Sequence, residues 1–172
     1  MNSLRIAALV CVVAVVAALP AAAQTASLTD AQKAFNTIKS LPGTWESTKP
    51  DGGRGLDVKY KVTAGGSAVM SEIEGEGPEN MITMFHLDGP NKLLMTHYCG
   101  AGNQPRMQAA VSPDGKVITF TFLDATNLAT PDTGHMQKLI ITILDNNHHT
   151  EEWVFADHGK EMKEVFDLRR KM

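Results

Sequence analysis

The chain has 172 residues, with 16 lysines and arginines against 19 aspartates and glutamates, so its formal net charge at pH 7 is −3. No cluster of basic residues stands out, which argues against nucleic acid as a partner. No basic amphipathic helix is visible that would bind a membrane surface. Composition and charge therefore favour a globular domain that binds neither nucleic acid nor a membrane surface.

The first 23 residues have the features of a secretory signal peptide. Arg5 precedes an apolar run over residues 7–19, and three alanines at 21–23 form a small-residue cleavage site. The run is too short and wrongly flanked for a stable membrane anchor. We therefore expect cleavage after Ala23, export to the periplasm or the medium, and no stable membrane insertion. The mature chain would keep only Cys99, so no internal disulfide is possible.

One helix is predicted in the segment 24–42 that follows the leader. Thr29 stands at the N-cap position with Gln32 three residues later, which is the pattern of a capping box. Apolar residues at 28, 31, 35, 38 and 41 fall near one face. The pair Pro42-Gly43 ends the helix.

Residues 43–172 are predicted to form about ten strands. In residues 55–62 apolar and polar side chains alternate, which is typical of a strand with one buried face. Similar runs follow, separated mostly by short turns of the kind found in hairpins. An antiparallel meander of this kind either stacks as a sandwich or closes into an up-and-down barrel. A barrel of this size leaves room for one small ligand.

The two ends of this strand-rich region carry a family resemblance. Gly43 and Trp45 open the first strand after a short helix, and Arg170 ends the last strand on the same face as two apolar residues. This resembles the calycin superfamily, which includes the lipocalins, where a Gly-x-Trp opens the barrel and its tryptophan packs under a terminal arginine. The resemblance implies an all-β, up-and-down antiparallel barrel over residues 43–172, with one N-terminal helix.

The middle of the chain carries a second resemblance. Residues 86–107, "HLDGPNKLLMTHYCGAGNQPRM", are similar to a family of bacterial secreted proteins with a lipocalin-like barrel. This second resemblance spans roughly residues 40 to 170. The two resemblances imply the fold and leave the function open, because fold does not carry function.

Polar residues concentrate in residues 96–107, "THYCGAGNQPRM". Alternation in this strand places His97 and Cys99 on the more apolar face, so both are expected to point inward. We expect a polar cluster in a cavity of the barrel or at its mouth, where Arg106 would suit an anionic head group such as a carboxylate. The predicted polar contacts are His97, Arg106, His86, Tyr98, Cys99 and Asn103. The alternative is structural: the amides and the arginine bond turn backbone, and His97 is a core histidine.

Catalytic and metal chemistry are less well supported by the pattern. Cys99 lies two residues from His97, but no third orienting residue is visible, so a buried inert thiol is the better interpretation. His148 and His149 are adjacent in an asparagine-rich turn, where side chains diverge, and no metal is expected. A related calycin group, the nitrobindins, binds haem through a late histidine that the last strand here lacks, so no cofactor is expected.

Apolar and aromatic side chains are expected to supply the cavity wall. They are Leu56, Val58, Tyr60, Phe120, Phe122, Ile141, Trp153 and Phe155. The stretches "EIEGEGPE" and "HHTEEW" are predicted to form solvated faces. The favoured function is binding of a small apolar or amphipathic molecule in the barrel. The alternatives are a hydrolase- or isomerase-like enzyme with His97 as general base, and an envelope protein-interaction domain with a filled barrel.

Overall fold

The computed structural model describes residues 27–48, 54–75 and 77–172 of the chain. The predicted signal peptide and its cleavage site lie outside these residues. The structure confirms an all-β fold, a closed up-and-down barrel of ten antiparallel strands with one short N-terminal helix. Within the described ranges, no helix is long and apolar enough to cross a membrane.

The helix α1 spans Asp30–Ile38, and the strands follow in chain order. They are β1 Gly43–Thr48, β2 Arg54–Thr63, β3 Ala68–Glu74, β4 Met81–Asp88, β5 Lys92–Tyr98, β6 Gln104–Val111, β7 Val117–Thr126, β8 His135–Asp145, β9 His148–Asp157 and β10 Lys160–Arg170. Each strand pairs with the next in sequence, and β1 pairs with β10 to close the barrel.

The helix lies against one end of the barrel. The predicted capping box is present, since the Thr29 hydroxyl accepts from the Gln32 backbone and the Gln32 side chain accepts from the Thr29 backbone. The helix contacts β4, β5 and β6 and buries Phe35 and Ile38. The Thr29 hydroxyl also bonds Pro90 in the β4–β5 turn. This turn therefore marks the covered end, and the β5–β6 and β9–β10 turns lie at the opposite, open end.

Alternation along the strands builds a continuous apolar interior. Inward side chains from almost every strand have little or no exposure and belong to one cluster with the helix. The most buried are Trp45, Val58, Val69, Phe85, Leu93, Met95, Met107, Ile118, Phe120, Leu139, Ile141 and Leu168. Burial of each large apolar side chain contributes about 1.5–3 kcal/mol to folding. This apolar cluster stabilises the barrel, and the barrel strands position the polar residues of the interior.

At the covered end, the guanidinium of Arg170 lies over the indole of Trp45, 4.2 Å from its centroid. Trp45 and Arg170 are direct partners in the β1–β10 ladder. The same guanidinium donates to the carbonyls of Pro42 at 2.7 Å and of Ser40 at 3.2 Å. The arginine thus ties the last strand to the chain that leaves the helix.

Gly43 is required at this junction for two physical reasons. Its φ is +126°, in the region that favours glycine. A Cβ atom at this position would also lie 3.2 Å from Nη1 of Arg170. The Gly-x-Trp pattern at residues 43–45 therefore serves the contact between Trp45 and Arg170.

Candidate ligand-binding site

A buried carboxylate lies at the centre of the barrel's polar interior. Glu151 on β9 is fully buried and faces inward. Its carboxylate accepts from the Tyr60 hydroxyl at 2.5 Å, from Trp153 Nε1 at 3.0 Å and from His149 Nε2 at 3.3 Å. A buried charge is tolerated only when it is bonded in this way. Glu151 therefore organises three side chains from two strands.

The ionisation of this group follows from its surroundings. Burial by itself raises the pKa of Glu151, but the hydrogen bonds and charge of His149 and the bonds from Tyr60 and Trp153 outweigh it, so the pKa lies below its ordinary value. Burial and the negative charge of Glu151 raise the pKa of Tyr60 well above its ordinary value. The phenol is therefore a donor, and the carboxylate is ionised at neutral pH.

His97 lies beside this group and is also fully buried. Its Nδ1 is 2.9 Å from the Thr83 hydroxyl, and its ring centroid is 4.7 Å from that of Trp153. Burial lowers the pKa of His97 to about 4, against the opposing effect of the Glu151 charge. Its Nε2 has no hydrogen-bond partner among the described residues. His97 is thus a neutral imidazole oriented by a hydroxyl, which does not favour the general-base role considered for it.

A cleft of about 410 Å³ opens at the end of the barrel opposite the helix. It is formed where β8 begins, β9 ends and β10 begins. Its lining residues are Met136, Trp153, Phe155, Met162, Lys163 and Glu164. Trp153 is only 3% exposed and forms the floor. One indole therefore separates this mouth cleft from Glu151 and contacts His97.

The structure corrects the placement predicted for Arg106. Its side chain is 52% exposed on the outside of the barrel and forms a two-point ion pair with Asp124, with Nε 2.6 Å from Oδ1. Arg106 pairs with Thr96 in the β5–β6 ladder, and the neighbouring pair Met95–Met107 is buried. Because successive residues face opposite sides, Arg106 faces solvent. The expectation that Arg106 and His97 face one cavity is wrong.

His86 is likewise not a neighbour of His97. The β4–β5 register pairs His97 with Thr83, and His86 with Leu94. The His86 ring bonds the carbonyl of the residue that follows it, at 3.2 Å. Tyr98 is 51% exposed, so the alternation that placed His97 inward holds for this strand.

Hydrogen bonds to backbone carbonyls hold the turn between β5 and β6. The Cys99 amide bonds the Asn103 carbonyl at 3.1 Å. Asn103 is buried, and its Nδ2 donates to the Gly134 carbonyl at 2.9 Å, which ties this turn to the start of β8. Burial raises the pKa of the Cys99 thiol, although a backbone hydrogen bond from Ala101 opposes it. These contacts fix the conformation of the loop between β5 and β6.

The predicted aromatic wall is divided between core and mouth. Phe120 is buried in the core, and Phe122 is half-buried with its ring 4.6 Å from that of His135. Trp153 and Phe155 line the mouth cleft. The wall therefore continues from the core to the open end along β9.

Sequence reasoning missed the buried carboxylate. The stretch "HHTEEW" was expected to be a solvated face, yet His149 and Glu151 are fully buried. The signal was present, since both residues share the alternation of Trp153 and Phe155. Among residues 27–48, 54–75 and 77–172, no group of three or more His, Cys, Asp or Glu is placed to hold a metal ion.

Comparison with known proteins supports the fold alone. No family model and no curated protein matches the chain. It is similar to the crystal structure of Rv2717c from M. tuberculosis, with a TM-score of 0.53 and 13% identity over 81% of this chain and 98% of that chain. At this identity the likeness shows a shared barrel and carries no function with it.

Proposed function

We propose that this chain is an exported binding protein for a small apolar or amphipathic molecule, held in the mouth cleft above Trp153. The observation that carries the proposal is the cleft itself, in which four of the six lining residues are apolar and Trp153 lies directly over a buried polar group. Ligand sites in proteins combine an apolar wall with a few fixed polar groups in just this way.

The lining suits an adaptable apolar ligand. Met136, Phe155 and Met162 surround the Trp153 floor. Methionine side chains are flexible and polarisable, and they repack around ligands of different shape. A volume of about 410 Å³ lies within the range of small-molecule sites in proteins, about 300–1,000 Å³.

The floor of the cleft is preorganised. The indole of Trp153 is held by its hydrogen bond to Glu151 and by the ring of His97. A ligand that packs on this indole does not have to order it first, so less conformational entropy is lost on binding. The covered end is occupied by α1 and by Arg170 over Trp45, which leaves the open end as the proposed entrance.

Export is part of the proposal and is supported by the leader sequence over residues 1–23. Expression of the full chain in a bacterium, followed by fractionation and intact mass measurement, tests it. The expected result is a periplasmic or extracellular protein that begins at Gln24. A full-length cytoplasmic product would contradict it.

Binding is tested with the neutral dye N-phenyl-1-naphthylamine, whose fluorescence rises in apolar sites. We expect saturable binding at one site that Met162→Ala weakens. Leu144→Ala is the matched control, because Leu144 is 49% exposed, as is Met162, but lies where β8 ends. Equal effects of the two substitutions, or no saturable binding, would count against the cleft as the site.

The natural ligand is sought by native mass spectrometry of the protein purified from its own cells, followed by organic extraction. An added mass that is lost on extraction, and whose binding is competed by the dye, would support the proposal. A ligand that is bound without competition by the dye would place the binding site elsewhere.

A further inference from the structure

We propose that the ligand of the mouth cleft is an organic cation, an apolar body that carries a protonated amine bound by the carboxylate of Glu164. This inference rests on the proposed function and specifies the chemical class of ligand that the same cleft takes. It depends on the charges around the cleft, which differ from those expected from the sequence.

Glu164 faces the cleft without a partner of its own. It lies on β10 opposite Trp153 and shares its side of the strand with the buried Phe166 and Leu168. Its carboxylate makes no hydrogen bond or ion pair with the parts of the chain that the structure describes. A carboxylate left free at the edge of an apolar cleft is available to a cationic group of a ligand.

The basic residue at the cleft is already engaged. Lys163 follows the opposite alternation, and its ammonium is 3.4 Å from Oε1 of Glu152 on β9. Its charge is therefore compensated on the outer surface of the sheet. Arg106, which was expected to receive an anionic head group, is paired with Asp124 outside the barrel.

The floor of the cleft is an indole held by a buried hydrogen bond. Trp153 Nε1 donates to Glu151 at 3.0 Å, and His149 Nε2 lies 3.3 Å from the same carboxylate and offsets its charge. The faces of Trp153 and Phe155 are themselves attractive to cations. Carboxylate, indole, phenyl ring and thioethers together favour an ammonium group and disfavour a carboxylate.

The test uses three probes with the same tail, namely octylammonium, 1-octanol and octanoate, measured by isothermal titration calorimetry at pH 7. Octylammonium is expected to bind most tightly and octanoate most weakly. Glu164→Gln is expected to weaken octylammonium about three- to fivefold, as for a solvent-exposed ion pair, and to leave 1-octanol unchanged. Raising the salt concentration should weaken octylammonium alone.

Glu161→Gln is the matched control, since Glu161 is exposed on the same strand and faces the opposite side. It is expected to leave all three affinities unchanged. Tighter binding of octanoate than of octylammonium, or an equal effect of the two glutamate variants, would overturn the inference. If the three probes bind with equal affinity, the inference is overturned, but the proposed function is retained. If none of the three probes binds, both fail.

Discussion

The indole of Trp153 donates its hydrogen bond to the buried carboxylate of Glu151, 3.0 Å away. The same carboxylate receives the Tyr60 hydroxyl and His149 Nε2, so β2 and β9 meet at one charged group in the interior. The indole of Trp153, which forms the floor of the mouth cleft, is therefore positioned by a hydrogen bond to a buried carboxylate as well as by packing. This relationship couples the stability of the barrel to the shape of the proposed site.

Replacing Glu151 should destabilise the barrel strongly. Glu151→Leu leaves the donors of Tyr60 and Trp153 buried without an acceptor, so we expect a loss of about 3 kcal/mol in the free energy of unfolding. Urea denaturation measures it. Glu152→Gln is the control, since Glu152 is only partly buried and forms an exposed pair with Lys163. A Glu151→Leu variant as stable as the control would show that the buried network contributes nothing.

The folded protein should become less stable as the pH is lowered, because of the buried His97. Its pKa is about 4 in the folded protein and 6.5 when unperturbed, so between these values the unfolded chain binds more protons than the folded one. The stabilisation is therefore present above about pH 6.5 and is lost as the pH falls towards 4, by about 3 kcal/mol. Urea unfolding at pH 7 and pH 4.5 measures this change.

The His97→Gln variant separates this effect from the titration of other groups. It should show a smaller loss of stability over the same pH interval, because glutamine does not titrate. His158→Gln is the control, because the His158 side chain is 78% exposed in the β9–β10 turn. Identical pH dependences in wild type and His97→Gln would refute the assignment.

The barrel and its covered end could be predicted because their signals are local or repeated. The capping residues Thr29 and Gln32 lie within one turn of helix, and the alternation of the strands recurs along the chain. Trp45 and Arg170 are far apart in sequence, but a family resemblance paired them. The capping box and the strand alternation can each be read from a few neighbouring residues, and the resemblance can be read from short motifs at the two ends of the barrel.

The candidate site could not be predicted because it depends on registers between strands. Alternation correctly placed His97 inward, but the face of Arg106 depends on how the turn over residues 99–103 joins the two strands, and a bulge after Arg106 shifts the next register. Alternation with Trp153 indicated the inward face of Glu151, but its partner Tyr60 lies 91 residues away in sequence, so the hydrogen bond between them could not be predicted. Only the closed barrel brings the two side chains together.

Arg106 should be dispensable for ligand binding. Its guanidinium is paired with Asp124 outside the barrel, so Arg106→Ala is expected to leave the affinity for N-phenyl-1-naphthylamine unchanged. Asp124→Asn breaks the same ion pair from the other side and should behave alike. Dye titration measures both variants. Weaker binding in Arg106→Ala alone would place the guanidinium at the site after all.

Arg170 should contribute more to stability than the neighbouring arginine. Arg170→Ala removes the contact with Trp45 and the bonds to the carbonyls of Ser40 and Pro42, for an expected loss of about 2 kcal/mol in urea unfolding. Arg170→Lys keeps the charge but loses the planar fork, so it should recover only part of this loss. Arg169→Ala is the matched control, because the Arg169 side chain is 65% exposed on the outer face of the same strand. If Arg169→Ala and Arg170→Ala were equally destabilising, the covered end would owe its stability to net charge instead of to the stacked guanidinium.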